Sequence, residues 1–214
     1  MAIYQVLRRR AIAVGRFLTS WAMMPVLAMT ASLSAATAFC AEAPSFAQAA
    51  RSYVERIESH PPSGDVDQDF AAFLVPQHLS GVELSSVAID HCQDATLRDI
   101  AADILAHADR NDPVTSKAPP LPAADPRRAM VIRALAGANA QARAAFEERV
   151  EGDTDRQFAH FMGAHHQRAI VYASTELHFG RDPNLLTLAR TILEGQQEQH
   201  AQMMKLLDEP SHDH

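Results

Sequence analysis

Residues 152–193, GDTDRQFAHFMGAHHQRAIVYASTELHFGRDPNLLTLARTIL, repeat an earlier part of the chain. Residues 64–105, GDVDQDFAAFLVPQHLSGVELSSVAIDHCQDATLRDIAADIL, align with them at a constant offset of 88 positions without a gap. Thirteen of the 42 aligned pairs are identical, among them Gly64/Gly152, Asp65/Asp153, Asp67/Asp155, Phe70/Phe158, Phe73/Phe161, His78/His166 and Asp94/Asp182. Unrelated helices of this composition would match at roughly three or four positions. We therefore infer an internal duplication.

Apolar residues recur at helical spacing in several segments, which capping and turn residues separate. The pattern predicts helices at about 46–59, from Asp65 or Asp67 to about 91, and at 95–108, 127–150, 156–179 and 183–208. Pro76 lies inside the second of them, so that helix should kink there or begin shortly before it.

Each copy contributes a helical hairpin, and the economical way to bury four apolar stripes is an antiparallel bundle. We expect an all-α fold, an antiparallel four-helix bundle built from a duplicated helical hairpin with additional shorter helices. The expected organisation is a signal peptide at 1–38, a first and degenerate helical repeat at 39–110, a connector rich in proline and alanine at 111–126, a second repeat with a His/Met motif at 127–209, and a histidine-containing tail at 210–214.

The N-terminus has the three parts of a signal peptide. Four arginines lie within residues 8–16, an apolar run covers residues 17–33, and Ala36-Thr37-Ala38 forms a small-residue cleavage site. We expect export to the periplasm and no stable membrane insertion after cleavage. An uncleaved membrane anchor is the alternative, because the apolar run is long for a signal peptide.

Charge and cysteine content exclude several classes of function. The chain has 19 Lys and Arg against 26 Asp and Glu, and the first 38 residues hold four of the basic and none of the acidic ones. The remainder therefore has a formal charge of −11, which repels nucleic acid and makes metal cations more compatible partners. The two cysteines, Cys40 and Cys92, are not part of a C-x-x-C-H motif for covalent haem, and a disulfide between them stays open.

A Met/His cluster in the second repeat could carry chemistry. Met162 lies three residues before His165 and four before His166, so the three side chains share one side of a helix. The last helix offers His200 and Met203, which an antiparallel hairpin would bring opposite the first three. Imidazole nitrogen with thioether sulfur suits copper, since methionine favours Cu(I). Zinc could use the histidines alone, and Met162 could equally be a core residue.

The same half of the chain carries a longer pattern. It is Met-x-x-His-His-Gln-x-Ala-Ile, a Gly-x-Asp-Pro turn, Ala-x-x-Ile and Gln-x-x-x-x-x-x-Met, supplied by Met162, His165, His166, Gln167, Ala169, Ile170, Gly180, Asp182, Pro183, Ala189, Ile192, Gln196 and Met203. With it, residues 155–207 resemble the family called domain of unknown function 305. The resemblance implies a ferritin-like helical bundle, usually exported, with several members linked to copper binding and tolerance.

The chain departs from this family pattern at several positions. Tyr172 stands where the family usually has methionine, and Arg168 where it usually has glycine. In the first copy Leu74 replaces the methionine and Gln77 replaces the first histidine, so His78 is the one cluster residue that both copies share. These departures argue against two equal metal sites.

The leading hypothesis is an exported copper-binding protein for copper buffering, delivery or tolerance, and not an enzyme. Its expected metal ligands are Met162, His165, His166 and Met203, with His200 and His78 as additional candidates. A helical binding or interaction module of the cell envelope without a metal is one alternative. A ferritin-like metalloenzyme is another, but it needs Glu-x-x-His on two helices, and none of the predicted helices contains that motif.

Overall fold

The computed structural model describes residues 45–109 and 113–208, and its regular structure is entirely helical. Within these two stretches it contains six helices and no strand: α1 (Phe46–Glu58), α2 (Val66–Ala88), α3 (Ala95–Ala106), α4 (Arg127–Glu147), α5 (Thr154–Phe179) and α6 (Pro183–Asp208). The prediction of an all-α fold is confirmed. None of these six helices is long and apolar enough to cross a membrane. The predicted signal peptide, Cys40 and the histidine-containing tail lie outside the described residues.

Aspartates begin helices at matching positions in the two repeats. Asp65 and Asp153 precede α2 and α5, and Asp94 and Asp182 precede α3 and α6. In each case the carboxylate accepts a hydrogen bond from the backbone N–H three residues further on. An N-cap of this kind contributes about 1 kcal/mol to helix stability. The offset of 88 positions found in the sequence therefore recurs in the helix starts.

Helix α2 runs through Pro76. The expectation that this helix could begin shortly before the proline is wrong, because it begins well before it, at Val66. Phe70 and Phe73 lie in the turns that precede the proline, and they are 1% and 3% exposed. Burial of each aromatic ring contributes about 1.5–3 kcal/mol. That is enough to offset the cost of an internal proline, about 3 kcal/mol.

The duplicated Phe-x-x-Phe sequence contributes to two separate apolar clusters. Phe158 and Phe161 of the second repeat pack in one cluster with α1 and α3 of the first repeat. Phe70 and Phe73 of the first repeat pack in the other with α4 and α6 of the second. Each repeat thus places its central helix among the flanking helices of the other. The two repeats are interlocked, since both apolar clusters contain residues of both repeats.

Each repeat also provides an aspartate to the turn before the last helix of the other repeat. Asp67 accepts backbone N–H bonds from Arg181 and Asp182, both at 2.8 Å, and its second oxygen lies 3.0 Å from the Arg181 guanidinium. Asp155 accepts the equivalent two bonds, at 2.8 and 2.9 Å, from the backbone of residues 93–94. Reciprocal contacts of this kind define an approximate twofold axis between the repeats.

A second carboxyl group lies beside Asp67. Glu176 is 0% exposed, and neither of its carboxylate oxygens has a hydrogen-bond partner. Burial, followed by the negative charge of Asp67, raises the pKa of Glu176 to about 8, so this carboxyl is protonated at neutral pH. The equivalent turn of the first repeat holds Cys92 instead, a buried free thiol whose pKa is raised mainly by burial.

Candidate functional site

A pocket of about 270 Å³ lies between α2, α3, α5 and α6. Much of its lining consists of pairs of residues 88 positions apart, namely Gln77/His165, His78/His166, Gly81/Ala169 and Ile104/Ile192; the remaining lining residues are Phe73, Leu74, Val75, Val114, Leu188 and Gln196. Since the members of each pair are equivalent in the two repeats, the pocket lies at the approximate twofold axis. We call it the axis pocket.

Gln77 and His165 bind each other's backbone at the axis pocket. Nε2 of Gln77 donates to the carbonyl of His165 at 2.7 Å, and Nε2 of His165 donates to the carbonyl of Gln77 at 2.8 Å. Because Nε2 of His165 carries the hydrogen, Nδ1 holds the lone pair of the neutral ring. Gly81 leaves room for this ring, since an added Cβ would lie 3.3 Å from its Cε1 atom.

Burial keeps both histidines of the His-His pair neutral. His165 is 5% exposed and His166 is 0% exposed. Burial lowers the pKa of His165 to about 3, with a further contribution from the neighbouring His166, and it lowers the pKa of His166 to about 4. Both rings therefore carry a lone pair at neutral pH, which is the form that binds a metal ion.

The two ring nitrogens of His166 already have partners. Nδ1 donates to the carbonyl of Met162 at 2.8 Å, and Nε2 lies 2.7 Å from Oε1 of Gln199. Because the neutral ring has one N–H, Nε2 accepts, and the Gln199 amide pairs with it by turning its NH2 group towards the ring. The lone pair of His166 becomes available to a ligand only when Gln199 rotates away. The next residue, His200, is half-buried on α6 and is not part of the pocket lining; burial lowers its pKa.

Three polar atoms of residues that line the axis pocket are buried without a partner. They are Nδ1 of His165, Nε2 of His78 and Oε1 of Gln196. An unpaired buried polar atom costs about 1–3 kcal/mol, so a ligand that satisfies these atoms would stabilise the fold. Nδ1 of His165 and Oε1 of Gln196 can only accept, which favours a metal cation, a water molecule or another hydrogen-bond donor over an anion.

The two methionines of the predicted ligand set lie away from this lining. Met162 and Met203 are both 0% exposed and belong to the apolar cluster that includes α1. The structure thus brings together three of the six predicted ligands, His78, His165 and His166; it buries the two methionines in the core and leaves His200 outside the pocket lining. Across residues 45–109 and 113–208, no group of three or more His, Cys, Asp or Glu side chains is arranged to hold a metal ion.

Two departures from the family pattern in the second repeat, Arg168 and Tyr172, belong to one buried network beside the axis pocket. The Arg168 guanidinium is stacked 4.9 Å from the ring centre of Tyr172 and donates to Oδ1 of Asn139 at 2.7 Å and to Oε1 of Gln77 at 2.9 Å. The Tyr172 hydroxyl donates to the same Asn139 oxygen at 3.1 Å. Arg168 thereby fixes Gln77, which binds the backbone of His165. The offset of 88 positions pairs Gln77 with His165. That pairing is the sequence signal that could have identified Gln77 as a residue of the site.

The fold and the pocket define an all-helical protein of two interlocked repeats with a histidine-lined pocket at their axis. Residues 115–207 match the sequence model of the family "Domain of unknown function (DUF305)". The family predicted from the Met-x-x-His-His pattern is thus confirmed, and the match covers the second repeat and part of the connector. No curated protein and no solved structure matches the chain.

Proposed function

We propose that this protein is an exported copper-binding protein that serves copper buffering, delivery or tolerance. The observation that carries the proposal is the neutral His165 ring, whose Nδ1 lone pair is buried without a partner beside His78 and His166. Neutral imidazole is the commonest metal ligand in proteins. Because the pKa of His165 is lowered to about 3, protons compete poorly with a metal ion for its lone pair at any pH near neutrality.

Copper is preferred over other metals because the proposed ligand set combines histidines with methionines. Histidine serves Cu(II) as well as Cu(I), and thioethers such as Met162 and Met203 select Cu(I) over hard cations. The proposed ligand set is Met162, His165, His166 and Met203, with His200 and His78 as additions. The chain's own acidic residues would concentrate cations near the protein. Copper is also the metal that the family resemblance implies.

The proposal also includes the cellular location of the protein and a more specific description of its fold. Cleavage of residues 1–38 would release the remaining chain into the periplasm. Helices α2, α3, α5 and α6 would form the ferritin-like antiparallel bundle, with α1 and α4 as the additional helices. A bundle of this type builds its metal sites from side chains of facing helices, and the pocket lining includes His78 of α2 and His165 of α5.

A metal-binding assay tests the function. Untagged protein is mixed with Cu(I), Cu(II), Zn(II) or Fe(II) in separate samples and freed of unbound metal by gel filtration, and bound metal is measured by mass spectrometry. We expect stoichiometric copper that is lost in the variant His165→Ala/His166→Ala. The matched control His107→Ala/His178→Ala removes two histidines that lie outside the pocket and should retain the copper.

Two results would replace the proposal. Two irons per chain with consumption of oxygen would indicate a ferritin-like metalloenzyme. Binding of no metal at all would indicate a helical interaction module. Circular dichroism of each variant distinguishes a lost ligand from a lost fold.

A further inference from the structure

We propose that the axis pocket binds one divalent transition-metal ion through nitrogen and oxygen atoms of both repeats, Nε2 of His78, Nδ1 of His165 and Oε1 of Gln196, without a methionine sulfur. This inference rests on the proposed function, metal binding, but replaces its ligand set: His78 and His165 are kept, Gln196 is added, and the methionines, His166 and His200 are left out. It moves the site from the second repeat alone to the junction of the two repeats.

The three proposed ligand atoms share a property that sets them apart from other polar groups at the pocket. All three are buried, and none has a hydrogen-bond partner. By contrast, both nitrogens of His166 and both polar atoms of the Gln77 side chain are engaged. Native proteins pair most of their buried polar atoms, so three such atoms around one pocket favour a bound cation or hydrogen-bond donor there. Each of the three atoms can supply a lone pair to a metal ion in the pocket, His78 when its ring carries the hydrogen on Nδ1.

The pocket lining excludes sulfur as a ligand. Met162 and Met203 are not among the residues that line the pocket and belong to the apolar cluster that includes α1. The first repeat has Leu74 at the position equivalent to Met162, and it is this leucine that lines the pocket. Imidazole nitrogen and amide oxygen without thioether favour Cu(II) or Zn(II) over Cu(I).

The surroundings of the pocket make the metal exchangeable. Three neutral ligands leave a coordination position open for water, and none of them neutralises the charge of the ion. The Arg168 guanidinium is connected to His165 by two hydrogen bonds, one from Arg168 to Gln77 and one from Gln77 to the His165 carbonyl. Its positive charge repels a bound cation and so weakens metal binding. The carbonyl of Gln77 orients the His165 ring by holding its Nε2–H, as is usual for metal-bound histidines. A preorganised but weakly charged site suits buffering or delivery better than permanent storage.

The test compares single substitutions in untagged protein. Zn(II) and Cu(II) affinities are measured by competition titration for His78→Ala, His165→Ala and Gln196→Leu, and for the pair Met162→Leu/Met203→Leu, which removes sulfur while keeping side-chain volume. We expect at least tenfold weaker binding for each histidine variant and a smaller loss for Gln196→Leu. The methionine pair and the control His178→Ala, an exposed histidine on α5, should stay within twofold of the unmodified protein.

X-ray absorption of the Cu(II)-loaded, unsubstituted protein gives a second test that no folding defect can obscure. The inference requires a shell of nitrogen and oxygen atoms at about 2.0 Å and no sulfur shell at about 2.3 Å. A sulfur shell, or binding that survives His78→Ala but not the methionine pair, would overturn it and leave copper binding intact. No bound metal would overturn both proposals and assign the pocket to ordered water.

Discussion

The turn between α5 and α6 and the turn between α2 and α3 occupy equivalent positions, yet they differ in the acidic group that they bury. Both are held by an aspartate of the opposite repeat, Asp67 or Asp155. Beside Asp67 lies the carboxyl of Glu176, whereas beside Asp155 lies the thiol of Cys92. The duplication has therefore kept the backbone contact and varied the side chain behind it. Both groups are protonated at neutral pH, but the carboxyl loses its proton as pH rises through about 8, whereas the raised pKa of Cys92 keeps the thiol protonated at that pH.

Removing the buried carboxyl should give the largest difference between the turns. The pKa of Glu176 rises from 4.5 to about 8 on folding, so the folded state keeps a proton that the unfolded chain releases. The resulting stability is fully present below pH 4.5 and is lost as pH rises through 8, on the order of 4 kcal/mol between pH 5 and pH 8. Glu176→Gln should remove this pH dependence and be the more stable protein at pH 9.

Urea unfolding between pH 5 and pH 9 measures this effect. The control Glu198→Gln changes an exposed glutamate on α6 and should retain the slope of the unmodified protein. An unchanged slope in Glu176→Gln would mean that Glu176 ionises normally in the folded protein.

Truncation of the two aspartates should show a smaller asymmetry. Asp67 is 0% exposed and makes three hydrogen bonds, one of them to a guanidinium, whereas Asp155 is half-buried and makes two. Asp67→Ala should lower the free energy of unfolding by about 3 kcal/mol, and Asp155→Ala by about 1–2 kcal/mol, because water can reach the freed N–H groups there. Equal losses in urea unfolding at pH 7 would show that the turns are energetically equivalent.

The glycines before α2 and α5 extend the comparison to the backbone. Gly64 has φ +88° and Gly152 has φ +120°, where a side chain is strained. An added Cβ at Gly64 would lie 3.0 Å from a backbone oxygen of Arg128, whereas at Gly152 it would meet the flexible side chain of Arg156. We expect Gly64→Ala to cost about 2 kcal/mol and Gly152→Ala about 1 kcal/mol. Thermal unfolding measures both, and a larger shift for Gly152→Ala would contradict the comparison.

Cys92, the thiol of the first turn, gives the smallest expected effect, which is a slow rate of chemical modification in the folded protein. Burial raises the pKa of Cys92, and the thiol is 2% exposed, so little reactive thiolate is present. In a Cys40→Ser background, iodoacetamide should modify Cys92 at least tenfold more slowly in the folded protein than in urea. Fast labelling of the folded protein would indicate that this turn opens readily.

The helices could largely be predicted from the sequence, because their signals are local. Ser45, Asp94 and Asp153 are N-caps, and apolar spacing located the segments between them. Pro76 suggested that α2 could begin shortly before it, because proline carries a local cost inside a helix. The helix begins earlier because burial of Phe70 and Phe73, which depends on tertiary packing, offsets that cost.

The candidate site was only partly predictable, because several of its contacts join distant residues. Helical spacing correctly grouped His165 with His166, but it could not show that Met162 faces the apolar cluster. The Arg168–Gln77 bond spans 91 positions, and Glu176 and Asp67 lie on different repeats. Only the repeat offset pointed towards such pairs. It connects Gln77 to His165 even though the two residue types differ.

The mutual contact of Gln77 and His165 also bears on how this chain arose. Two equivalent residues that bind each other's backbone are what a symmetric homodimer places on its axis, where every residue meets its own copy. A dimer of single-repeat chains would have to use the same amino acid on both sides. Fusion into one gene removes that restriction, and the axis position is now glutamine on one side and histidine on the other. A pocket with two unlike walls is thus an arrangement that gene fusion permits and homodimer symmetry forbids.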